Sequence, residues 1–260
     1  MTLKDSMPSV KDSCLFLSDY AAVLCGCGAT CVRLEKNVYR MAEALGIKVD
    51  MSIMPSHITM TGWNMSEDES FSLVRTLRHA AISFDMNTQL SKLSWDLADG
   101  KCSYDEALSR FETIKHLKPA NKWMVLVLTS LANASFCRLF GGDLVSMLVV
   151  FISTVCGYRI KQIMLEDKMD VRFTFVCSSF FSAVLSAGCH VFGWGDTPEI
   201  ALGSSVLYLV PGIPYINSVS DMLDGHYLCA FSRLMNGVVL TACLALGLIC
   251  GLIILNISLF

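Results

Sequence analysis

Five long apolar runs in the second half of the sequence restrict the fold more than any other feature. They cover residues 123–140, 144–165, 173–194, 199–216 and 228–255. A helix rises about 1.5 Å per residue, so about 20 apolar residues cross the ~30 Å hydrocarbon core of a bilayer. The runs therefore predict an α-helical integral membrane protein with about five transmembrane helices.

Charged residues are concentrated before the first of these runs. Residues 1–122 hold 14 of the 20 Lys and Arg residues and 15 of the 23 Asp and Glu residues. Across the whole chain 17% of the residues are charged, whereas soluble proteins carry about 25%. This shift predicts two domains, a water-soluble one over residues 1–122 and a transmembrane one over residues 123–260.

The first domain is predicted to be a small cytosolic α/β domain. Residues 13–46 have the pattern of one long helix or two stacked helices that end at Gly46. Alternating or β-rich segments predict three strands, at residues 47–53, 58–61 and 71–77, and two more helices follow at 85–97 and 103–117.

Residues 14–32 of this domain are apolar enough to imitate a membrane span. Asp19 interrupts the segment, and Gly26 and Gly28 dilute it. We therefore expect a buried helix here, with a spanning segment as the alternative.

The composition excludes several classes of site. No nucleophile, metalloprotease or phosphate-loop motif occurs, so no catalytic residue, metal ligand or cofactor is predicted. The twelve cysteines form no CxxC pair, and most of them serve as small apolar fillers in or beside the apolar runs. No basic patch with interleaved aromatic residues suggests a nucleic-acid partner.

Basic residues also predict the orientation in the membrane. Residues 1–122 carry 14 of them and the linker 159–172 carries four, whereas the linker 193–198 carries none. We therefore predict a protein of the inner membrane. By the positive-inside rule, its N-terminal domain and its 159–172 linker should lie in the cytosol. Five spans would leave Phe260 outside.

The fourth apolar run is interrupted by helix-breaking residues. Pro211 and Pro214, with Gly212 between them, should break the helix twice, because proline lacks the backbone N–H and clashes with the preceding turn. Broken helices occur in hydrocarbon where the backbone is buried in protein or lines a wet cavity, as in transporter substrate sites. The alternative is a cytosolic loop in which Asp224 begins the next helix.

Polar residues follow this break at once. Asn217, Asp221 and Asp224 are candidates for the lining of a substrate cavity. Arg233 lies about one and a half turns into the fifth run, where either aspartate is available as its partner. An inward-facing arginine suits a substrate that carries a carboxylate.

Three further polar residues lie in or beside the first two runs. Arg138 and Asp143 flank a Gly-Gly break, and they either pair with each other or Arg138 extends to the membrane interface. Asn133 lies in the middle of its run and is expected to face the interior of the helix bundle. We predict all three as transport residues because polar groups are costly in hydrocarbon.

In the soluble domain the segment around Gly28 is the densest in polar residues. Arg33, Asn37 and Arg40 share one helix face by their i, i+4, i+7 spacing, and Glu35 lies off it. The face is either simply solvated, or it is an interdomain contact or an anion site.

Four segments together resemble the threonine/serine exporter family. They are Gly28-Ala-x-x-x-Arg33-x-Glu35, Phe136-Cys-Arg-Leu-Phe-Gly-Gly-Asp143, Thr197-Pro-Glu-x-Ala-Leu, and Pro211-Gly-x-Pro-x-x-Asn217-x-x-x-Asp221-x-x-x-Gly225 with Ser232-Arg233. Leu34 stands where the family has valine. The last segment is the most specific, and the resemblance covers nearly the whole chain.

The resemblance implies export of a small carboxylate-bearing metabolite. The resemblance implies that full-length members of the family have a soluble domain followed by ten spans. A chain with about five spans resembles the large subunit of the family's split form, in which two separate proteins share the spans. That form works with a small membrane partner and includes a succinate exporter. We therefore expect a small-molecule substrate, contact with membrane lipid, a small transmembrane partner subunit and an oligomer. A membrane-anchored hydrolase and a non-transporting scaffold are the alternatives.

Overall fold

The computed structural model describes residues 8–77 and 82–256, and these residues are mostly helical. Phe260, the end expected outside the cell, lies beyond the described residues. In chain order the elements are α1 (Val10–Gly26), α2 (Cys31–Ala44), β1 (Ile47–Ile53), β2 (His57–Asn64), β3 (Ser70–Thr76), α3 (Phe84–Ala98), α4 (Tyr104–Lys115), α5 (Lys122–Leu139), α6 (Leu144–Glu166), α7 (Val171–Phe192), α8 (Pro198–Ser205), a 3-10 turn (Leu207–Leu209), α9 (Gly212–Leu223) and α10 (Tyr227–Ile254).

The chain forms two compact units. Of the described residues, those within 1–119 and 213–234 form the N-terminal unit, and those within 120–212 and 235–260 form the second unit. Most of α9 and the first turns of α10 thus pack with the N-terminal unit, although they are distant from it in sequence.

Two helices, not one, occupy the segment predicted as helical at residues 13–46. Gly28 has a left-handed φ of +90°, which a glycine adopts without steric cost, and it separates α1 from α2. Gly46 follows α2 with φ +69°, as predicted for a glycine that ends a helix.

Helix α1 is a buried helix of the N-terminal unit. Leu17, Tyr20 and Leu24 are fully buried in its core. The hydroxyl of Tyr20 donates to the carbonyl of Leu90 on α3 at 2.9 Å, which satisfies the one polar group of a large buried side chain.

The three predicted strands are confirmed and form one antiparallel sheet in the order β1-β2-β3. The sheet is a meander, so the unit is α+β in its connectivity and not α/β with parallel crossovers. Short turns between the strands leave no room for a helical crossover, which a parallel pair needs. Gly62 of β2 lets the sheet approach α1, since a Cβ there would lie 2.3 Å from the sulfur of Cys14.

The second unit holds the long apolar helices of a multi-pass membrane protein. Within the described residues three helices are long and apolar enough to cross a bilayer, namely α6, the Val171–Cys189 part of α7, and α10. A fourth is counted if α8 with its 3-10 turn and α9 form one bent span. Helix α5 is not among them, and it carries Lys122, Asn133 and Arg138. The predicted fifth span stays a prediction.

The predicted double break in the fourth run is wrong, because the structure has a single break. The chain leaves the 3-10 turn at Val210 and Pro211, and α9 begins at Gly212. Pro214 lies in the first turn of α9, where a backbone N–H has no helical partner in any case.

Glycines allow close helix packing in the second unit. A Cβ on Gly157 of α6 would lie 2.0 Å from the hydroxyl oxygen of Ser182 and 2.3 Å from that of Tyr208. A Cβ on Gly247 of α10 would lie 2.3 Å from the carbonyl oxygen of Val176 on α7. Small residues let helices pack closely in a bilayer, where the hydrophobic effect does not drive association between helices.

Candidate functional site

The elbow between α9 and α10 is the centre of the candidate site. Gly225, between the two helices, takes a left-handed φ of +85°, which a glycine adopts without steric cost. The backbone N–H of His226 donates to the carbonyl of Asp221 at 2.8 Å, and the hydroxyl of Ser218 donates to the carbonyl of Ala230 at 2.7 Å. These bonds hold the end of α9 against the first turn of α10.

A buried ion pair lies inside this elbow. The carboxylate of Asp221 is fully buried, and its Oδ2 lies 2.9 Å from Nη1 of Arg233, whose side chain is 20% exposed. The two atoms are not aligned as a hydrogen bond, so the attraction between them is electrostatic. Burying either charge without its partner would be costly, so the two residues stabilise this part of the fold only as a pair.

The loop between α1 and α2 completes the surroundings of the pair. The N–H of Cys31 donates to Oδ1 of Asp221, and Nη2 of Arg233 donates to the carbonyl of Ala29, each at 2.9 Å. Asn217 of α9 donates through Nδ2 to the carbonyl of Gly28 at 2.8 Å. The two motif segments that are furthest apart in sequence therefore meet here through backbone and side-chain bonds.

Glu35 and His226 lie at the edge of the same elbow. Nε2 of His226 is 3.4 Å from Oε2 of Glu35, and both side chains are partly buried. They border a cavity of about 280 Å³ that Tyr227 and Cys229 also line. The cavity therefore borders the elbow and has the polar side chains of Glu35, His226 and Tyr227 in its wall.

The predicted shared face of α2 packs against α3. Arg33 donates to Oδ1 of Asn87 at 3.0 Å, and Arg40 donates to Oγ of Ser94 at 2.7 Å. Asn37 is buried and donates to the hydroxyl of Tyr20 at 3.1 Å. The face therefore has neutral side-chain partners within its own unit, and is more than a solvated surface.

Asn133 lies in the interior of the second unit, as expected for a polar residue in the middle of its run. Its Nδ2 donates to Oγ1 of Thr154 on α6 at 2.7 Å and to the carbonyl of Ser204 on α8 at 3.0 Å. The amide thus provides a hydrogen-bond partner for the carbonyl of Ser204 near the end of α8, where the regular hydrogen bonds of the helix stop.

Arg138 and Asp143 make different contacts, and not the ion pair that their spacing allows. Arg138 donates to the carbonyl of Gly142 at 3.1 Å. Asp143 caps the N-terminus of α6, accepting from the N–H of Ser146 at 2.9 Å and from the hydroxyl of Thr197 at 3.0 Å.

The capping role of Asp143 also fixes its charge. Hydrogen bonds from Ser146, and further ones from Asp196 and Thr197, lower the pKa of Asp143 from 3.8 to about 2. A lowered pKa stabilises the fold above pH 3.8, and this contribution is lost as the pH falls through 2. Asp143 therefore stays ionised at physiological pH and is unsuited to carry a coupling proton there.

The structure brings together only some of the residues predicted from sequence. Asn217, Asp221 and Arg233 converge with the Gly28 loop, whereas Asp224 is exposed. Pro211, Gly212 and Pro214 shape the backbone that leads into α9. Asn133, Arg138 and Asp143 belong to the second unit.

Three contributors to the site were missed by reasoning from sequence. They are the N–H of Cys31, the carbonyl of Ala29 and the imidazole of His226. Backbone groups leave no signature in residue type, and a histidine beside a glycine turn is not distinctive. Among the described residues no group of His, Cys, Asp and Glu side chains has the arrangement of a metal site.

Comparisons with known proteins match most of the chain. A family model described as "Putative threonine/serine exporter" matches residues 16–255. The "Probable succinate transporter subunit YjjP" of Klebsiella aerogenes is 26% identical over 224 residues, 85% of this chain and 86% of that protein. The Escherichia coli protein of that name is 26% identical over 230 residues, 87% of this chain and 88% of that protein.

A more distant relative is longer than this chain. The "Probable threonine/serine exporter" of Mycobacterium tuberculosis is 16% identical over 225 residues, which are 86% of this chain and 42% of that protein. No solved structure matches the chain. The matched family consists of transporters and not of enzymes.

Proposed function

Because the chain belongs to the threonine/serine exporter family, we propose that it exports small carboxylate-bearing metabolites across the cell membrane. The substrate class is threonine and serine or a dicarboxylate such as succinate, and an ion gradient drives the export. The names of the relatives support both substrate groups. The large apolar helices of the second unit support a multi-pass membrane protein.

The buried ion pair between Asp221 and Arg233 is the observation that carries this proposal. A guanidinium presents a planar fork of N–H donors that matches a carboxylate in two-point geometry. In the structure Asp221 lies 2.9 Å from one arm of that fork, Nη1, and a substrate carboxylate is an alternative partner for Arg233. Exchange of one carboxylate for the other avoids leaving a buried charge unpaired, which is the costly state.

Most of the other candidate residues have supporting roles in this proposal. Asn217 holds the Gly28 loop against α9, whereas Asp224 is exposed and is left out of the proposed site. Pro211, Gly212 and Pro214 set the backbone path at the start of α9. Asn133, Arg138 and Asp143 are the proposed transport residues of the second unit.

We further propose that the chain works with a small transmembrane partner as a hetero-oligomer. The word "subunit" in the names of two relatives supports a partner. Glycines such as Gly188 and Gly203, which a Cβ would not crowd within the chain, leave small-residue surfaces for packing against other helices.

We propose that the protein lies in the inner membrane with its N-terminal domain, residues 1–122, in the cytosol. The basic residues of that domain and of the 159–172 linker support it. A reporter inserted at 166–170 should be active in the cytosol, and one fused after residue 260 should be active outside if five helices span. A cytosolic reporter at the C-terminus would contradict the five-span topology.

Export of labelled metabolites tests the function. Cells that express this chain with a candidate small partner should release labelled succinate, threonine or serine faster than cells with either protein alone. Equal release from all three strains would contradict the transport proposal. Full activity of the chain alone in liposomes would contradict only the need for a partner.

A further inference from the structure

Three cationic side chains border one groove of the N-terminal unit without facing a carboxylate. Arg33, Lys36 and Arg40 lie on α2 along a cavity of about 530 Å³ between α2 and α3, which we call the α2–α3 groove. No acidic residue of the described chain lines it. None of the ion pairs formed by the described residues includes any of these three side chains.

Neutral groups orient the two arginines and leave their charge uncompensated. Arg33 is bonded to the amide oxygen of Asn87, and Arg40 to the amide oxygen of Asn37 at 3.1 Å and to the buried hydroxyl of Ser94. An oriented cation loses less conformational entropy when it binds a ligand, so the groove is prepared for an anion.

The rest of the lining suits a polar metabolite with several oxygens. Hydroxyl groups are contributed by Thr30, Thr88 and Ser91. The ring of Trp95 is 54% exposed, and the guanidinium carbon of Arg40 lies 3.5 Å from its centroid. This stacking holds Arg40 at the wall of the groove and places a fluorescent reporter beside the cations.

Another groove of the same unit lacks this excess of charge. It has a volume of about 600 Å³ and is lined by Arg75 and Lys115. Arg75 is paired with Asp19 at 2.9 Å, and Lys115 with Glu112 at 2.8 Å. Its cations are therefore already neutralised, and the α2–α3 groove is the stronger anion site.

We propose that the α2–α3 groove binds a small multivalent anion, a soluble metabolite with two or more carboxylate or phosphate groups. Three cations in one cavity match two or more negative charges, and a single carboxylate would leave part of the positive charge unpaired. The site is distinct from the Asp221 pair on α9 and α10, although α2 also contacts that pair through the N–H of Cys31. The proposal therefore does not depend on transport activity.

Titration of the full chain in neutral detergent tests the proposal. Pyrophosphate and citrate serve as probes, and tryptophan fluorescence and calorimetry report binding. We expect saturable binding that weakens by about tenfold or more when Arg33→Gln, Lys36→Gln and Arg40→Gln are combined, since charge-assisted hydrogen bonds are lost. Trp95→Phe should remove the fluorescence change and keep the calorimetric signal.

A second triple variant controls for net charge. Lys48→Gln, Lys101→Gln and Lys115→Gln remove three exposed cations of the same unit that pair with carboxylates elsewhere. This variant should bind the probes with unchanged affinity. Absence of saturable binding, or equal weakening in both triple variants, would overturn the proposal.

Two further arms keep the test decisive. Lys36→Gln alone changes an exposed side chain, so this variant should fold and bind the probes about threefold more weakly. If phosphatidylglycerol nanodiscs abolish probe binding and phosphatidylcholine nanodiscs do not, a lipid headgroup occupies the groove. That outcome would overturn the assignment to a soluble metabolite.

Discussion

Asp221→Asn should reduce export to near background, because it leaves the guanidinium of Arg233 buried without a countercharge. The amide still accepts from the N–H of Cys31, so the change removes charge and keeps shape. Removing one partner of a buried ion pair typically costs about 3–5 kcal/mol of stability. Thermal unfolding in detergent and efflux of labelled substrate measure the two effects separately.

Variants of the neighbouring residues distinguish the ion pair from general damage. Arg233→Lys keeps the charge but loses the planar fork, so export should fall while the protein still inserts in the membrane. Combining Asp221→Asn with Arg233→Gln should recover part of the stability and none of the export.

Asp224→Asn is the matched control for Asp221→Asn. It makes the same chemical change three residues away at an exposed position. It should retain most of the export and the wild-type unfolding temperature. Equal loss in Asp221→Asn and Asp224→Asn, or wild-type export in Asp221→Asn, would remove the ion pair from the mechanism.

Gly247→Ala should destabilise the second unit by about 1–3 kcal/mol or more, the usual cost of overpacking. The new Cβ would lie 1.9 Å from the hydroxyl oxygen of Ser179 and 2.3 Å from the carbonyl oxygen of Val176. The hydroxyl can rotate away, but the carbonyl belongs to the backbone of α7, so the two helices must separate. The unfolding temperature in detergent measures the effect.

Gly203→Ala controls for the intrinsic helix preference of alanine. Gly203 also lies in a helix, and a Cβ there meets no atom within 4 Å. Alanine is favoured over glycine by about 1 kcal/mol in a helix, so this variant should be neutral or more stable. Gly247→Ala combined with Ser179→Ala should remain destabilised. Full rescue would show that the hydroxyl, and not the backbone, limits the approach of α10.

Local elements were predictable from the sequence because local chemistry produces them. The alternation at residues 47–53 matches β1, and Ser103 caps α4 by accepting from the N–H of Glu106 at 3.3 Å. The single break in the fourth run was not predicted, since the position of Pro214 relative to the start of α9 decides whether it disrupts a helix.

The sequence by itself determined the class of the protein, through the separation of charged and apolar residues along the chain, and it located the motif segments. Only the tertiary structure decided which aspartate faces Arg233. Their distances from Arg233 along the sequence allow either Asp221 or Asp224 as its partner, but the fold buries Asp221 and exposes Asp224.

The tertiary structure also decided that residues 213–234 pack with residues 1–119. The carbonyls of Gly28 and Ala29 and the N–H of Cys31 hold that segment, and every residue other than proline has both of these backbone groups. These groups become partners only when distant parts of the chain come together, and no local sequence pattern encodes that approach. A backbone group needs a hydrogen-bond partner once it is buried, whatever its residue type.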